Sequence, residues 1–137
     1  PLIPLVQELL AHRPELLRHL LRESYPEDYP IDSALIRRYQ RPLRVRGTAE
    51  AMRHLGQTYH GEDLARLAAQ VAEVRCPALL LWGARDRVTP VREALHLVEL
   101  LPSAELLILP HTHHLPHEEQ PEVVAEHVRR FLGKVAA

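Results

Sequence analysis

The feature that most constrains the fold is a pair of short, continuous apolar runs, each followed by an amphipathic helix. Ala78 to Trp82 is bounded by Pro77 and Gly83, and the second run is Glu105 to Leu109. Short apolar runs without polar alternation are typical of strands buried on both faces of a parallel sheet. Residues 77 to 133 therefore predict the order strand, helix, strand, helix, which implies a right-handed crossover and parallel strands.

The bounds of the two helices in this region follow from proline, threonine and glycine. We expect Thr89 to cap the first helix, with Pro90 at its first position, where the missing N–H has no intrahelical partner to lose. Pro121 is expected to open the last helix, and Gly133 stands where a helix ends.

The region upstream of the strands has helical periodicity almost throughout. It predicts two helices broken near Pro14, a short helix from a cap at Asp32 to Tyr39, a helix capped by Thr48 with Met52, Leu55 and Tyr59 on one face, and a helix of about Glu62 to Glu73. We therefore divide the chain into a helical region, residues 1–73, and a strand-containing region, residues 74–137.

Charge and cysteine content exclude several classes of protein. The 17 basic and 18 acidic side chains give a net charge of −1, and no basic block with interleaved aromatics indicates a nucleic-acid partner. Cys76 is the only cysteine, which excludes a disulfide framework and fits a reducing compartment, so we expect a cytoplasmic protein. No apolar stretch approaches the roughly 20 residues of a membrane span, so no membrane partner is expected.

Two strands are too few for the predicted sheet. Strands this apolar expect neighbours at both edges and helices on both faces, and Leu43 to Arg46 is too short and too polar to be a third strand. The sequence also begins at Pro1 rather than at a methionine. We therefore expect the chain to be part of a larger fold, whose other half is either on another chain or outside this sequence.

A polar loop follows each predicted strand. Asp86 is four residues beyond Trp82, and His114 is five residues beyond Leu109. In doubly wound sheets the loops beyond the carboxyl ends of strands hold the functional groups. An aspartate after a strand more often caps a turn or a helix, but beside a histidine it can accept one imidazole N–H and leave the other nitrogen free as a base.

The second loop lies within LPHTHHLPHEEQPE, which holds four of the ten histidines and also suggests a metal site. HTHH with His117 and Glu118 would supply zinc ligands, but Leu115 and Pro116 stand where a metallo-β-lactamase-like motif has its next two ligands. We therefore expect no catalytic metal and no cofactor. The remaining histidines are interpreted as solvated neighbours or as supports of the loop; they are His111, His113 and His117.

The two segments CPALLLWGARDRVTP and LPSAELLILPHTHHLPHEEQPEVVAEHVRRFL together resemble the C-terminal end of an α/β-hydrolase. In that family a strand ending in Trp-Gly precedes the acid of a catalytic triad, and a loop similar to Gly-His-x-Pro-x-x-Glu-x-Pro carries the base. The resemblance implies that Asp86 is the triad acid and His114 the base, with framework positions at Pro116, Glu119 and Pro121. It also implies a partial α/β-hydrolase fold, in which residues 1–73 are the helical cap and 74–137 the C-terminal part of the core.

The sequence departs from the family pattern at two points. The residue before the base is usually small or glycine, and here it is His113, so the backbone is less permissive. The Gly-x-Ser-x-Gly elbow that carries the nucleophile is absent. None of Ser24, Ser33 and Ser103 follows a strand and opens a helix between close glycines, and Cys76 precedes its strand. We therefore expect the nucleophile outside this chain.

The resemblance implies hydrolysis of an ester-like bond in a small-molecule substrate, with this chain inactive until the missing half or another chain completes the sheet. The alternative is a non-catalytic fragment or assembly module, which pairs through its exposed sheet edge and can form a homodimer. Trp82 and the tyrosines Tyr25, Tyr29, Tyr39 and Tyr59 are interpreted as packing residues before substrate contacts.

Overall fold

The structure is a computed structural model that describes residues 2–61 and 64–136. In chain order its elements are α1 (Leu2–His12), α2 (Pro14–Arg22), α3 (Ser33–Leu43), α4 (Thr48–Gly61), α5 (Leu64–Ala72), β1 (Ala78–Gly83), α6 (Val91–Leu100), β2 (Ala104–Leu109), α7 (Pro116–Glu119) and α8 (Pro121–Val135). None of the helices in these ranges is long and apolar enough to cross a lipid bilayer.

The two strands form a parallel pair, as the sequence predicts. Their register pairs Ala78 with Ala104 and Gly83 with Leu109. The connecting helix α6 packs on both strands, and α8 follows β2, so the order strand, helix, strand, helix is confirmed. Most residues of β1 are only half-buried, because the described part of the chain supplies one neighbouring strand.

The predicted bounds of the helices around the strands need two corrections. Pro90, not Thr89, occupies the N-cap of α6, and the Glu93 N–H donates to the Pro90 carbonyl at 2.9 Å. Thr89 is instead held in the preceding turn by its backbone N–H and carbonyl. Gly133 does not end the last helix, because α8 continues to Val135.

The described chain divides into two compact units. One comprises the described residues of Pro1–Arg22 and Asp28–Asp63, and the other comprises Glu23–Glu27 and the described residues of Leu64–Ala137. Helix α5 therefore groups with the strands, and so does the short segment between α2 and α3. The assignment of residues 1–73 as a cap and 74–137 as core stays a prediction.

The first unit is built around α1, which contacts α2, α3 and α4. Its buried apolar side chains are Ala11, Leu17, Leu21, Ile31, Leu35 and Ile36. Buried amides satisfy helix-end carbonyls: Gln7 donates to the Leu43 carbonyl, and Gln40 donates to that of Leu10 at 3.3 Å. Such pairings matter because an unsatisfied buried carbonyl destabilises a helix end.

The helix starts of this unit bear out one prediction and correct another. Asp32 caps α3, since its Oδ1 accepts the Leu35 N–H at 2.8 Å, but the helix runs beyond Tyr39 to Leu43. Thr48 lies inside α4 as its first residue rather than at the N-cap, and its hydroxyl donates to the Pro42 carbonyl at 2.9 Å.

Gly47 precedes α4 with a φ of 93°, and its carbonyl accepts the Ala51 N–H at 2.9 Å. A left-handed φ of this kind favours glycine at the start of the helix.

Two other predictions about this region fall partly on residues outside the described part of the chain. Of the predicted apolar face of α4, Leu55 is exposed, and the side chain of Tyr59 lies outside the described residues. The helix predicted from about Glu62 to Glu73 is observed as Leu64–Ala72, and residues 62 and 63 also lie outside the described part.

Candidate active site

The carboxyl ends of β1 and β2 are joined by backbone hydrogen bonds that continue beyond the strand ladder. The Ala84 N–H donates to the Leu109 carbonyl, and the Arg85 N–H donates to the Thr112 carbonyl, both at 2.9 Å. A Cβ on Gly83 would lie 1.9 Å from the His113 carbonyl oxygen. The second loop therefore crosses directly over Gly83, at a separation that only a residue without a side chain permits.

Asp86 lies in the loop after β1 with its carboxylate fixed on both oxygens. Oδ1 accepts the backbone N–H groups of Val88 and Thr89, each at 2.8 Å. Oδ2 lies 2.9 Å from Nδ1 of His114, and the Asp86 side chain is 5% exposed. Asp86 therefore caps the turn through Oδ1 and contacts the histidine through Oδ2.

His114 lies in the loop after β2, and its ring is oriented by that contact. An Nδ1–H donated to the Asp86 carboxylate leaves Nε2 as the unprotonated acceptor of a neutral imidazole. The His114 side chain is 32% exposed, so the ring is anchored on one side and open on the other. This arrangement can act as a general base toward a hydroxyl placed beside Nε2.

The backbone of the histidine loop is held by a buried carboxylate that the sequence places only as a framework residue. Glu119, whose side chain is 3% exposed, accepts the His113 N–H at 2.8 Å and the Leu115 N–H at 3.1 Å. The N–H between them, that of His114, donates to the Ser24 carbonyl at 3.1 Å. Three successive backbone N–H groups around the candidate base thus have fixed acceptors. The sequence did not predict the Ser24 carbonyl as one of these acceptors.

The other histidines of the loop differ from His114 in their surroundings. His111 and His117 are exposed, and the Arg85 guanidinium lies 3.4 Å from Nδ1 of His111. His113 is buried, with Nδ1 3.5 Å from Glu119. No described non-glycine residue has a positive φ, so His113 occupies this position without the backbone freedom of glycine.

A metal site in the histidine-rich loop would need several ligating side chains close together. In the part of the chain that the structure describes, no three histidine, cysteine, aspartate or glutamate side chains converge as the ligands of a metal ion would.

The hydroxyl and thiol side chains considered as nucleophiles are spread over different parts of the fold. Ser33 begins α3, and Ser24 lies in the segment between α2 and α3. Ser103 and the exposed Cys76 precede β2 and β1, at the opposite strand ends from Asp86. None of these four residues lies on a turn between a strand and the helix that follows it.

A shallow pocket of about 140 Å³ adjoins the aspartate–histidine pair. Its lining consists of Leu81, Trp82, Gly83, Asp86, Thr89, His114 and Pro116. The Trp82 indole N–H donates to the Thr89 carbonyl at 2.8 Å, so this side chain holds the first loop and also faces the pocket. A water molecule has a share of roughly 30 Å³ in the liquid, so the pocket has room for a group of several heavy atoms.

Comparisons with known proteins show the family to which the chain belongs. The family model described as "Alpha/beta hydrolase family" matches residues 1–127. The chain is 35% identical over 102 residues to "Uncharacterized hydrolase YugF" of Bacillus subtilis (strain 168), a match that covers 74% of this chain and 36% of that protein. It is 39% identical over 64 residues to a pimeloyl-[acyl-carrier protein] methyl ester esterase of Chromobacterium violaceum, with 44% of this chain and 25% of that protein covered.

A solved structure is similar over most of the chain. It is a serine hydrolase involved in carbazole degradation, CarC, with a TM-score of 0.75 and 25% sequence identity over 88% of this chain and 47% of that one. The chain thus spans less than half the length of each of these three proteins. Because the family model covers nearly all of the sequence, the chain belongs to the alpha/beta hydrolase family.

Proposed function

We propose that the complete protein hydrolyses an ester-like or other activated carbonyl bond in a small molecule, with Asp86 and His114 as the acid and base of a triad. The observation that carries this proposal is the 2.9 Å contact between Asp86 Oδ2 and His114 Nδ1 at the carboxyl ends of two adjacent parallel strands. The curated esterase and the solved serine hydrolase support the reaction class by their names.

The chemistry follows from the open nitrogen of His114. Nε2 takes the proton of the nucleophile hydroxyl while the hydroxyl oxygen forms a bond to the carbonyl carbon of the substrate. Asp86 stabilises the imidazolium that results. The imidazolium then gives this proton to the leaving group as the scissile bond breaks. In the second half of the reaction Nε2 takes a proton from water, whose oxygen attacks the covalent intermediate, and the proton returns to the nucleophile.

We propose that the nucleophile, a serine hydroxyl, and the oxyanion-stabilising N–H groups come from residues outside this chain. Support comes from the described sheet, which has two strands, and from relatives that are more than twice as long as the matched region. In these folds the nucleophile lies on a strand-to-helix turn and precedes the acid and the histidine in the sequence.

A serine-directed fluorophosphonate probe with intact-mass detection tests where the nucleophile lies. We expect no adduct on this 15.7 kDa chain and one adduct per molecule on the complete protein or on a co-purifying second chain. A stoichiometric adduct on this chain alone would show that the nucleophile is one of its own residues.

Histidine substitutions in the complete protein test the base. His114→Ala should lower kcat by roughly 10³-fold, because proton transfer to and from the nucleophile is lost. His111→Ala and His117→Ala are matched controls, since both side chains are exposed in the same loop, and they should leave kcat within about threefold of the parent value. A comparable loss in all three variants would favour metal binding over base catalysis.

A further inference from the structure

The segment Glu23–Glu27 connects α2 to α3 but groups with the strand-containing unit. Two adjacent residues in it contact the histidine loop. The Ser24 carbonyl accepts the His114 N–H at 3.1 Å, and the Tyr25 hydroxyl donates to Glu118 Oε2 at 2.5 Å. One residue therefore holds the backbone of the candidate base, and the next holds the helical turn that follows it.

Tyr25 is fully buried, and its hydroxyl donates a hydrogen bond that packing of the ring alone would not need. A phenylalanine ring would fill the same space, whereas a buried phenol needs a hydrogen-bond acceptor. That acceptor is a carboxylate whose side chain is 16% exposed, and a hydrogen bond to an ionised acceptor is about twice as strong as a neutral one. The hydroxyl therefore contributes to orientation as well as to burial.

The short helix α7 is anchored by two neighbouring carboxylates with different partners. Glu119 accepts the N–H groups of His113 and Leu115, while Glu118 accepts the Tyr25 hydroxyl. Because α7 begins at Pro116, two residues after His114, a shift of this turn moves the backbone that carries the imidazole. Displacing a reacting group by about 1 Å can lower a reaction rate by roughly 10²-fold.

We propose that Tyr25 is a positioning residue for His114, which acts through Glu118 and through the adjacent Ser24 carbonyl. Its effect on the placement of the loop stands on geometry alone. Its effect on turnover rests on the proposed function, because only a catalytic His114 makes the placement of the ring matter for a reaction.

Amide hydrogen exchange measured by NMR on the full chain tests the placement without any activity. Tyr25→Phe should accelerate exchange at the His114 and Leu115 amides about tenfold and leave the ladder amides of β1 and β2 unchanged. Tyr29→Phe, a change of the same chemistry at a half-buried tyrosine of the other unit, should accelerate neither. Equal acceleration at the loop and at the strands, or none at the loop, would overturn the proposal.

Changes at Glu118 separate the hydrogen bond from loss of folding. Glu118→Gln keeps an oxygen acceptor for the Tyr25 hydroxyl and should retain slow exchange at His114, whereas Glu118→Ala should reproduce the effect of Tyr25→Phe. The double variant should be no worse than either single variant, because both remove the same contact. Additive effects would contradict a shared role.

In the complete protein, Tyr25→Phe should lower kcat about threefold to tenfold with KM unchanged, since the fully buried Tyr25 exposes no surface to a substrate. If the complete protein had no hydrolase activity, the proposed function would fail while the exchange measurement still decided the role of Tyr25. If activity were present and kcat unchanged in Tyr25→Phe, the positioning role would fail and the proposed function would stand.

Discussion

The loop after β1 and the loop after β2 lie at the same edge of the sheet, but they are held in different ways. In the first, Asp86 accepts the N–H groups of residues two and three positions further along, so the turn that holds its carboxylate forms within the loop. In the second, His114 depends on Glu119, on the absence of a side chain at Gly83, and on the carbonyl of Ser24, which is 90 positions upstream (114 − 24).

The geometry of the first loop therefore depends mainly on residues nearby in the sequence, and that of the second depends on residues far from it. A self-contained turn keeps its geometry wherever the strand end places it, because its hydrogen bonds form within a few residues. A loop held by remote groups is correct only when the rest of the fold is correct. The position of Asp86 should therefore tolerate changes elsewhere in the chain better than that of His114.

The largest expected effect is a loss of kcat when the Asp86 side chain is changed in charge but the geometry of the first loop is kept. In Asp86→Asn the side-chain oxygen can still accept the Val88 and Thr89 N–H groups, so the free energy of unfolding should change by less than about 1 kcal/mol. The new amide N–H faces Nδ1 of His114 and favours the tautomer with a protonated Nε2. The kcat of the complete protein should fall by roughly 10⁴-fold, a magnitude known from serine proteases.

Urea unfolding of the chain and steady-state kinetics of the complete protein check the two halves of this prediction. If Asp86→Asn retained more than a tenth of the parent kcat, Asp86 would have only a structural role in the turn.

The second loop should respond most strongly to Gly83→Ala. The added Cβ would meet the His113 and Thr112 carbonyl oxygens at 1.9 and 2.4 Å, and both are backbone atoms that cannot rotate away. We expect a loss of about 3 kcal/mol in the free energy of unfolding, at the upper end for overpacking. The measurement is urea denaturation monitored by circular dichroism.

Gly133→Ala is the matched control for that change. Gly133 lies inside α8 with nothing within 4 Å of its Cβ position, so the substitution should stabilise the chain by about 0.5 kcal/mol. A similar loss in both variants would mean that close approach at Gly83 is not the cause.

A smaller effect is expected from the carboxylate that holds the second loop. Glu119→Ala leaves the N–H groups of His113 and Leu115 without their acceptor in a buried site, which should cost about 2 kcal/mol in the free energy of unfolding. Glu122→Gln, at an exposed position in the first turn of α8, should change it by less than about 0.5 kcal/mol. Equal midpoints in urea for the two variants would contradict a specific role of Glu119.

The sequence was informative about several features that depend on neighbours in the chain. The apolar runs gave the strands and their parallel order, and the Asp32 cap follows from its place before a periodic segment. The Asp86–His114 pair could be predicted because two adjacent parallel strands bring their following loops together.

Other features could not be predicted from local patterns. Gly133 is typical of a helix end, but it lies inside α8, since a glycine within a helix costs only about 1 kcal/mol. The contacts of Ser24 and Tyr25 with the histidine loop join residues about 90 positions apart, and no periodicity or spacing encodes such a pairing. In the sequence, Tyr25 is only a tyrosine beside a proline, which is equally typical of simple packing.

The smallest effect is expected at Glu50 in α4, an exposed carboxylate whose partner is only three residues away. The Arg53 guanidinium, hydrogen-bonded to Glu50 three residues earlier, lowers the pKa of this carboxyl below 4.5. A lowered folded-state pKa means that the pair stabilises the chain above the unfolded pKa of Glu50 and that this contribution is lost as the pH falls through the folded value. In Arg53→Gln the Glu50 pKa, followed by NMR titration, should rise toward 4.5, while the urea midpoint at pH 7 should hardly change, because solvent and salt screen an exposed pair. A drop in that midpoint as large as in Glu119→Ala would contradict this expectation. The exposed ion pair would then stabilise the chain as much as the buried Glu119 carboxylate does.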